Sequence, residues 1–258
     1  MTTLTPRRSA LYMPGSNLRA LAKATSLDAD CVIIDLEDAV APDKKDLARH
    51  QAAQALKSDD WGHREVVVRV NGLGTPWGAA DLNAIAAAQP DAILVPKVST
   101  PSDINTVEEH LISRSAAAAI QLWAMIETPA GVLNVAEIAA MAVSTSLTCL
   151  VLGTNDLAKE TGARLLPGRS AMMPWIMGVL LAARAHGLTA LDGVFNDLSD
   201  EAGFAAECEQ GANCGFDGKT VIHPKQLRIA NKAFAPTEDE VAKANDCLLY
   251  TSPSPRDA

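Results

Sequence analysis

Eight short apolar runs alternate with longer, more polar segments along most of this chain. Each run is rich in β-branched residues and bounded by Gly, Pro, Asp or Asn, which is typical of buried strands. The runs are Ser9–Met13, Cys31–Leu36, Glu65–Val70, Ala92–Val98, Ile120–Ile126, Thr148–Gly153, Thr189–Val194 and Gly218–Ile222. The segments between them are long enough for helices. Strict alternation over 258 residues predicts an α/β protein, a (β/α)₈ TIM barrel.

The main alternative is an open, doubly wound sheet. Such sheets usually carry the Gly-rich turn G-x-G-x-x-G directly after the first strand. Here the first apolar run leads into Pro14-Gly15-Ser16-Asn17, which does not match that pattern. The sequence therefore favours the closed barrel, and we assign residues 1–236 to it.

Composition excludes several classes of function. The chain has 22 Lys and Arg against 31 Asp and Glu, a net charge of −9, with no basic stripe that could neutralise the phosphates of a nucleic acid. No apolar stretch reaches the roughly 20 residues that a membrane-spanning helix needs. The five cysteines form no C-x-x-C pair, so we expect free thiols and a cytoplasmic location.

Two carboxylates end neighbouring predicted strands. Glu127 follows the fifth strand and Asp156 the sixth, and catalytic groups of such barrels gather where strands end. Adjacent strands lie about 4.8 Å apart, so both carboxylates can reach one hard cation such as Mg²⁺. The alternative is structural: Glu127 pairs with Lys97, and Asp156 caps the next helix.

Arg69 interrupts an otherwise apolar run, V-V-V-R-V-N. A buried guanidinium needs an anionic partner. That partner is either Glu37 or Asp38, or else the carboxylate of a bound acid. Alternation along the second strand places Asp35 and Glu37 on one face and Asp38 on the other. These three acids either order metal-bound waters or balance Arg69 and Lys97.

Several phrases, taken in order, resemble one known family. They are R-S-A-L-Y-M-P-G-S-N (Arg8–Asn17), D-L-E-D-A-V-A-P-D-K-K (Asp35–Lys45), V-R-V-N-G (Val68–Gly72), V-P-K (Val95–Lys97), I-E-T-P (Ile126–Pro129), G-T-N-D-L (Gly153–Leu157) and L-D-G-V-F-N-D through G-F-D-G-K-T-V-I-H-P (Leu191–Pro224). As a set they resemble the citrate lyase β-subunit-like CoA-ester lyases, within the HpcH/HpaI aldolase/citrate lyase group. Members of that family usually read G-[PA]-x-D-L where this chain has G-T-N-D-L, so the Asp is kept in an altered context.

The resemblance implies a (β/α)₈ barrel and assigns roles to individual residues. Glu127 and Asp156 would ligate Mg²⁺ and, with Arg69, form the catalytic set. The substrate-binding set would comprise Arg69, Glu127, Arg8, Pro14, Gly15 and Lys97, with Arg8 and the Pro14-Gly15 turn in the CoA-ester site. Asp35, Glu37 and Asp38 would contact these groups and hold them in position without binding the substrate directly.

The implied activity is a carbon–carbon lyase. It would cleave a 3-hydroxy-3-carboxyacyl-CoA, such as malyl-CoA or citramalyl-CoA, reversibly into an acyl-CoA and a 2-oxo acid, with Mg²⁺, in a homotrimer or hexamer. Three alternatives remain open: a malyl-CoA thioesterase, a citryl lyase subunit acting on a carrier-bound substrate, and a barrel that binds CoA esters without turnover.

The C-terminal residues depart from the family pattern. Residues 237–246 read as the start of a helix, whereas residues 247–258 have no helical pattern and look like a translated adapter sequence. We therefore expect residues 247–258 to be an unstructured, non-native tail. We also expect the C-terminal lid of the family to be truncated here.

Overall fold

A computed structural model describes residues 5–114 and 119–251 and contains a closed barrel of eight parallel strands in sequence order. The strands are β1 (Ser9–Pro14), β2 (Cys31–Asp35), β3 (Glu65–Arg69), β4 (Ala92–Val95), β5 (Gln121–Ile126), β6 (Leu147–Leu152), β7 (Thr189–Asp192) and β8 (Gly218–Val221). Each predicted run forms one of these strands, and β8 pairs with β1 to close the barrel. The predicted (β/α)₈ TIM-barrel fold is confirmed.

Helices surround the barrel. They are α1 (Leu18–Ala24), α2 (Lys45–Ser58), α3 (Gly78–Ala88), α4 (Pro101–Ser113), α5 (Pro129–Leu133), α6 (Val135–Ala140), α7 (Thr154–Thr161), α8 (Met173–Ala185), α9 (Glu201–Cys214), α10 (Leu227–Ala233) and α11 (Glu238–Thr251). The segment between the sixth and seventh strands forms two helices, α7 and α8. Helix α7 has only eight residues and buries only Thr154 and Leu157, so it offers too few apolar positions to mark a separate helix.

Alternation along the strands separates two apolar layers. Ala10, Ile33, Val67, Trp123 and Val151 belong to the cluster inside the barrel, whereas the larger cluster packs the outer faces of the strands against the helices. The same alternation directs Tyr12 inward on β1, where it packs against the inner cluster. Inward-facing side chains that follow this inner apolar cluster therefore lie close together at the C-terminal ends of the strands.

Ionic contacts close the N-terminal end of the barrel. Arg7 Nε and Nη2 each donate to the Glu65 carboxylate at 2.6 Å, and the guanidinium lies 4.8 Å from the centre of the Trp123 ring. Arg8 precedes β1 at this same end, where its Nε and Nη2 donate to Asp30 at 2.8 Å. The prediction that Arg8 belongs to the CoA-ester site therefore disagrees with the structure, because the full length of β1 separates Arg8 from the C-terminal end.

The C-terminal segment is helical over a longer range than predicted. Helix α11 runs from Glu238 to Thr251, so residues 247–251 continue the helix instead of beginning an unstructured tail. The expectation for residues 252–258 lies outside the described residues. Within the described part of the chain, no helix has both the length and the apolar character to cross a membrane.

Candidate active site

A cavity of about 360 Å³ lies at the C-terminal ends of the strands. Its walls include six of the predicted site residues: Pro14, Asp35, Asp38, Arg69, Glu127 and Asp156. Tyr12, Met125, Gly153, Asn155 and Asn196 also line it. Adjacent parallel strands end at one rim, and the structure therefore brings together residues that are far apart in sequence.

Arg69 is anchored by a carboxylate of the neighbouring strand. Its Nε and Nη2 donate to the two oxygens of Asp35 at 2.7 and 2.6 Å, a two-point contact. Its Nη1 lies 3.1 Å from Glu37 Oε2 and 3.4 Å from Asp38 Oδ2. The sequence named Glu37 or Asp38 as the internal partner and included Asp35 among the acids that could balance Arg69; the principal partner is Asp35. Strand β2 ends at Asp35, so strict alternation does not continue to Glu37 and Asp38, and all three carboxylates reach Arg69.

Lys97 links the remaining acids. Its Nζ lies 2.9 Å from Glu37 Oε1 and 3.3 Å from Asp156 Oδ2, while its backbone N–H donates to Glu127 Oε1 at 2.9 Å. Lys97 has a φ of 54°, an unusual value for a residue with a side chain. The structural alternative, an ion pair between the Glu127 and Lys97 side chains, is not observed, because Glu127 accepts from the Lys97 backbone N–H. The ammonium instead pairs with Glu37 and Asp156.

Glu127 is deeply buried among other acids. It is 2% exposed, and burial, reinforced by the charge of Glu37, raises its pKa to about 8. Arg69 and Lys97 oppose that rise without cancelling it. Because burial is the largest cause of this rise, a cation bound next to Glu127 would favour its charged form and lower the pKa again.

Gly153 makes room for the Glu127 side chain. A Cβ placed on Gly153 would lie 2.4 Å from Glu127 Cβ and 2.6 Å from Glu127 Oε2. The backbone φ at Gly153 is −106°, which any residue can adopt, so the requirement for glycine is purely steric.

We expect Gly153→Ala to displace Glu127 and to lower turnover at least tenfold, because about 1 Å of misplacement can cost roughly 100-fold. The matched control is Gly178→Ala on α8, where a Cβ would have no neighbour within 4 Å. Steady-state turnover rates of Gly153→Ala, Gly178→Ala and wild type test this expectation. Equal turnover in Gly153→Ala and wild type would contradict the steric role.

Asp156 lies in the first turn of α7, but it does not cap that helix. The N-cap position is Gly153, and no side-chain capping bond is present there. The Asp156 side chain is 22% exposed and contacts Lys97 Nζ. The structural alternative of a capping aspartate is therefore not observed, and Asp156 presents its carboxylate at the cavity.

The charges at the cavity fit a divalent cation. Five carboxyl groups (Asp35, Glu37, Asp38, Glu127 and Asp156) lie near three cationic groups (Arg69, Lys97 and Lys45), an excess of two negative charges at full ionisation. Within residues 5–114 and 119–251, no three His, Cys, Asp or Glu side chains form a ready-made metal cluster. Glu127 and Asp156 could supply two carboxylates, leaving the other positions to water and substrate oxygens, an arrangement that suits Mg²⁺.

Pro14 and Gly15 differ in their relation to the cavity. Pro14 lines it, whereas the Gly15 N–H donates to the Asp35 carbonyl at 2.9 Å. A Cβ on Gly15 would lie 2.8 Å from Leu36 Cδ2. Gly15 therefore allows close packing of the turn against β2 and is not part of the cavity wall.

Sequence reasoning missed Tyr12, Met125 and Asn196. Tyr12 could have been found, because it stands two residues before Pro14 on the inward face of β1. Met125 likewise stands two residues before Glu127 on β5. Asn196 lies in the loop after β7 and exchanges two amide hydrogen bonds with Asn155, at 3.1 and 2.8 Å. No sequence pattern indicates that pairing.

Fold and site together define a (β/α)₈-barrel protein with a carboxylate-rich cavity at the C-terminal end. The chain belongs to the HpcH/HpaI aldolase/citrate lyase family, whose model matches residues 8–224. This confirms the resemblance in the sequence motifs.

Individual relatives differ in activity. The chain is 54% identical to a (3S)-malyl-CoA thioesterase of Cereibacter sphaeroides over 93% of this chain and 81% of that protein. It is 35% identical to the citrate lyase β subunit of Leuconostoc mesenteroides, over 94% and 81%. Its structure is similar, with a TM-score of 0.79, to that of CitE from Mycobacterium tuberculosis in complex with magnesium, acetoacetate and coenzyme A. That match has 30% identity and covers 97% of this chain and 88% of the other.

These relatives correct the predicted activity. The prediction of a carbon–carbon lyase is wrong, because the relatives at 54% identity are named as thioesterases, which are hydrolases. The motifs could not separate the two activities, since thioesterases and lyases both occur among the relatives that share this barrel.

Proposed function

We propose that this protein hydrolyses the thioester of malyl-CoA, or of a similar short acyl-CoA that bears a carboxylate, with Mg²⁺ as its cofactor. The observation that carries the proposal is the 54% identity to (3S)-malyl-CoA thioesterases along 93% of the chain. The cavity of about 360 Å³ is of a size that suits a small acyl group.

The negative charge of the cavity supports a role for Mg²⁺ in substrate binding. A malyl group brings a carboxylate into a cavity that already holds more negative than positive charge, which is unfavourable without an added cation. Glu127 and Asp156 would hold Mg²⁺, which when bound supplies positive charge next to the substrate oxygens. The CitE structure, 30% identical to this chain, is a complex with magnesium, which supports a magnesium cofactor but does not identify its ligands.

The cationic side chains would orient the acyl group. Asp35 holds the plane of the Arg69 guanidinium, so its position is set before substrate arrives. The Lys97 side chain is 43% exposed, and its ammonium can turn from Glu37 and Asp156 to a substrate carboxylate. Pro14, at the end of β1, would contact the CoA ester where the acyl group enters.

The test is a product analysis. Purified protein is incubated with malyl-CoA, with Mg²⁺ or with a chelator, and free thiol, malate and glyoxylate are followed together. We expect equal amounts of free CoA and malate, no glyoxylate, and loss of turnover with the chelator. Formation of glyoxylate and acetyl-CoA, or no turnover with Mg²⁺, would overturn the proposal.

A further inference from the structure

Two hydrogen-bond donors converge on one sulfur atom in the cavity wall. The Tyr12 hydroxyl and Arg69 Nη1 each lie 3.9 Å from Met125 Sδ. A thioether is a weak acceptor, so neither donor gains a strong bond there. The two donors therefore point to a place where a ligand oxygen would be bound more strongly than the sulfur.

Tyr12 is held in place, yet its hydroxyl has no strong partner. The Arg69 guanidinium lies 4.9 Å from the centre of the Tyr12 ring, a cation–π contact. Among the described residues, the hydroxyl contacts only the Met125 sulfur as a hydrogen-bond acceptor. Burial raises the pKa of Tyr12 above its ordinary value, so the hydroxyl keeps its proton at neutral pH. It is an oriented neutral donor at the cavity.

Arg69 contributes the second donor with a fixed direction. Nε and Nη2 are bound to Asp35, whereas Nη1, which carries two hydrogens, lies 3.1 Å from Glu37 and 3.9 Å from the Met125 sulfur. Met125 has an unbranched side chain with several rotatable bonds, so it can move aside at low energetic cost. An arriving oxygen could then occupy the place of the sulfur.

We propose that Tyr12 is a catalytic residue, whose hydroxyl donates together with Arg69 Nη1 to the thioester carbonyl oxygen of the substrate. This inference rests on the proposed thioester hydrolysis. Two donors, one of them cationic, suit an oxygen that gains negative charge during the reaction better than a neutral carbonyl. Their role is thus to stabilise the transition state.

The step balances as a thioester hydrolysis. The oxygen of water forms a bond to the carbonyl carbon, and the π pair of the C=O bond moves to the oxygen held by Tyr12 and Arg69. That pair then re-forms the C=O bond, the C–S bond breaks, and sulfur leaves with the bonding pair. One proton of the water is transferred to sulfur, so the products are a carboxylic acid and free CoA thiol.

The test is Tyr12→Phe, which keeps the ring and its contact with Arg69. We expect kcat for malyl-CoA hydrolysis to fall by about 100-fold, as for loss of one oxyanion donor, while KM changes less than about threefold. The matched control is Ser58→Ala on α2, which removes an exposed hydroxyl that donates to the Gln54 carbonyl. Its kcat is expected to equal that of wild type.

Three results would overturn this role. Wild-type kcat in Tyr12→Phe would show that the hydroxyl does not act in the reaction. A higher KM at unchanged kcat would assign it to ground-state binding of a carboxylate instead. A lower thermal unfolding midpoint, with apparent kcat falling only in proportion to the folded fraction and KM unchanged, would make it structural. Failure of the proposed function itself is distinguishable, because wild-type protein would then release no thiol from malyl-CoA.

Discussion

Replacing Asp156 with asparagine is expected to lower Mg²⁺-dependent turnover of malyl-CoA by about 100-fold or more while the barrel still folds. Asn keeps the shape of Asp156 but removes one of two carboxylates available to the metal. Loss of even an outer contact to a metal ligand typically lowers affinity or activity by roughly 10–100-fold. The measurement is kcat/KM across a series of Mg²⁺ concentrations, together with Mg²⁺ affinity by titration calorimetry.

The matched control for this prediction is Glu160→Gln. Glu160 is exposed on the same helix, α7, and does not line the cavity, so this change removes a carboxylate from the helix without altering the site. Its kcat/KM and metal affinity are expected to equal those of wild type. Full activity of Asp156→Asn with unaltered Mg²⁺ dependence would remove Asp156 from the metal site.

Asp192→Asn is expected to lower the free energy of unfolding by about 3 kcal/mol, because two buried cations, Arg169 and Lys219, then share Glu207 as their one remaining anionic partner in the cluster. Asp192 is fully buried at the end of β7. Its Oδ1 accepts from Arg169 Nη1 at 2.6 Å, and its Oδ2 accepts from Lys219 Nζ at 2.9 Å. Lys219 is also fully buried and has Glu207 as its other anionic partner, at 2.8 Å.

The effect of Asp192→Asn should depend on pH in a defined direction. Burial alone would raise the pKa of Asp192, but Lys219 and Arg169 lower it below its ordinary value. A depressed carboxyl pKa contributes stability above the unfolded value of about 3.9 and loses that contribution as pH falls through the folded value. The difference between wild type and variant should stay constant from pH 7 to about 4 and shrink below that range.

Urea unfolding of both proteins across this pH range measures the difference. Glu201→Gln is the matched control, since the Arg228–Glu201 pair is 82% and 75% exposed. Exposed pairs are worth at most about 1 kcal/mol, so this control should unfold nearly as wild type does. A similar loss of stability in both variants would contradict a special role of burial at Asp192.

The local sequence pattern was sufficient to predict the eight strands and to predict which end of the barrel holds the cavity. Each strand appears as a short apolar run, and the residue that follows each run lies at the C-terminal rim. Glu127, Asp156 and Arg69 could therefore be placed near one another from the sequence. This works because parallel strands of one barrel all end at the same face.

The partners of these residues could not be predicted from the same pattern. Arg69 binds Asp35 because the two residues are direct neighbours across β2 and β3, and the Glu127 carboxylate accepts from the backbone N–H of Lys97, where the chain has a positive φ. Arg8 matched a family phrase, yet it pairs with Asp30 at the opposite end of the barrel. Such pairings depend on the register between strands and on how a turn bends, and the side-chain period of one segment reports neither.

The motifs were also insufficient to predict the activity. Family phrases identified the scaffold and its acids, but they led to a lyase where relatives at 54% identity are named thioesterases.

Periodicity along the chain thus decided the barrel, its strand order and the rim at which the acids meet, because period and strand ends are local properties of a sequence. Only the folded structure could show that Tyr12, Arg69 and Met125, from three different strands, converge within 3.9 Å. It also showed that Asp192, Lys219 and Arg169 share one buried cluster. Contacts between distant segments arise from packing in three dimensions, and no single stretch of sequence encodes them.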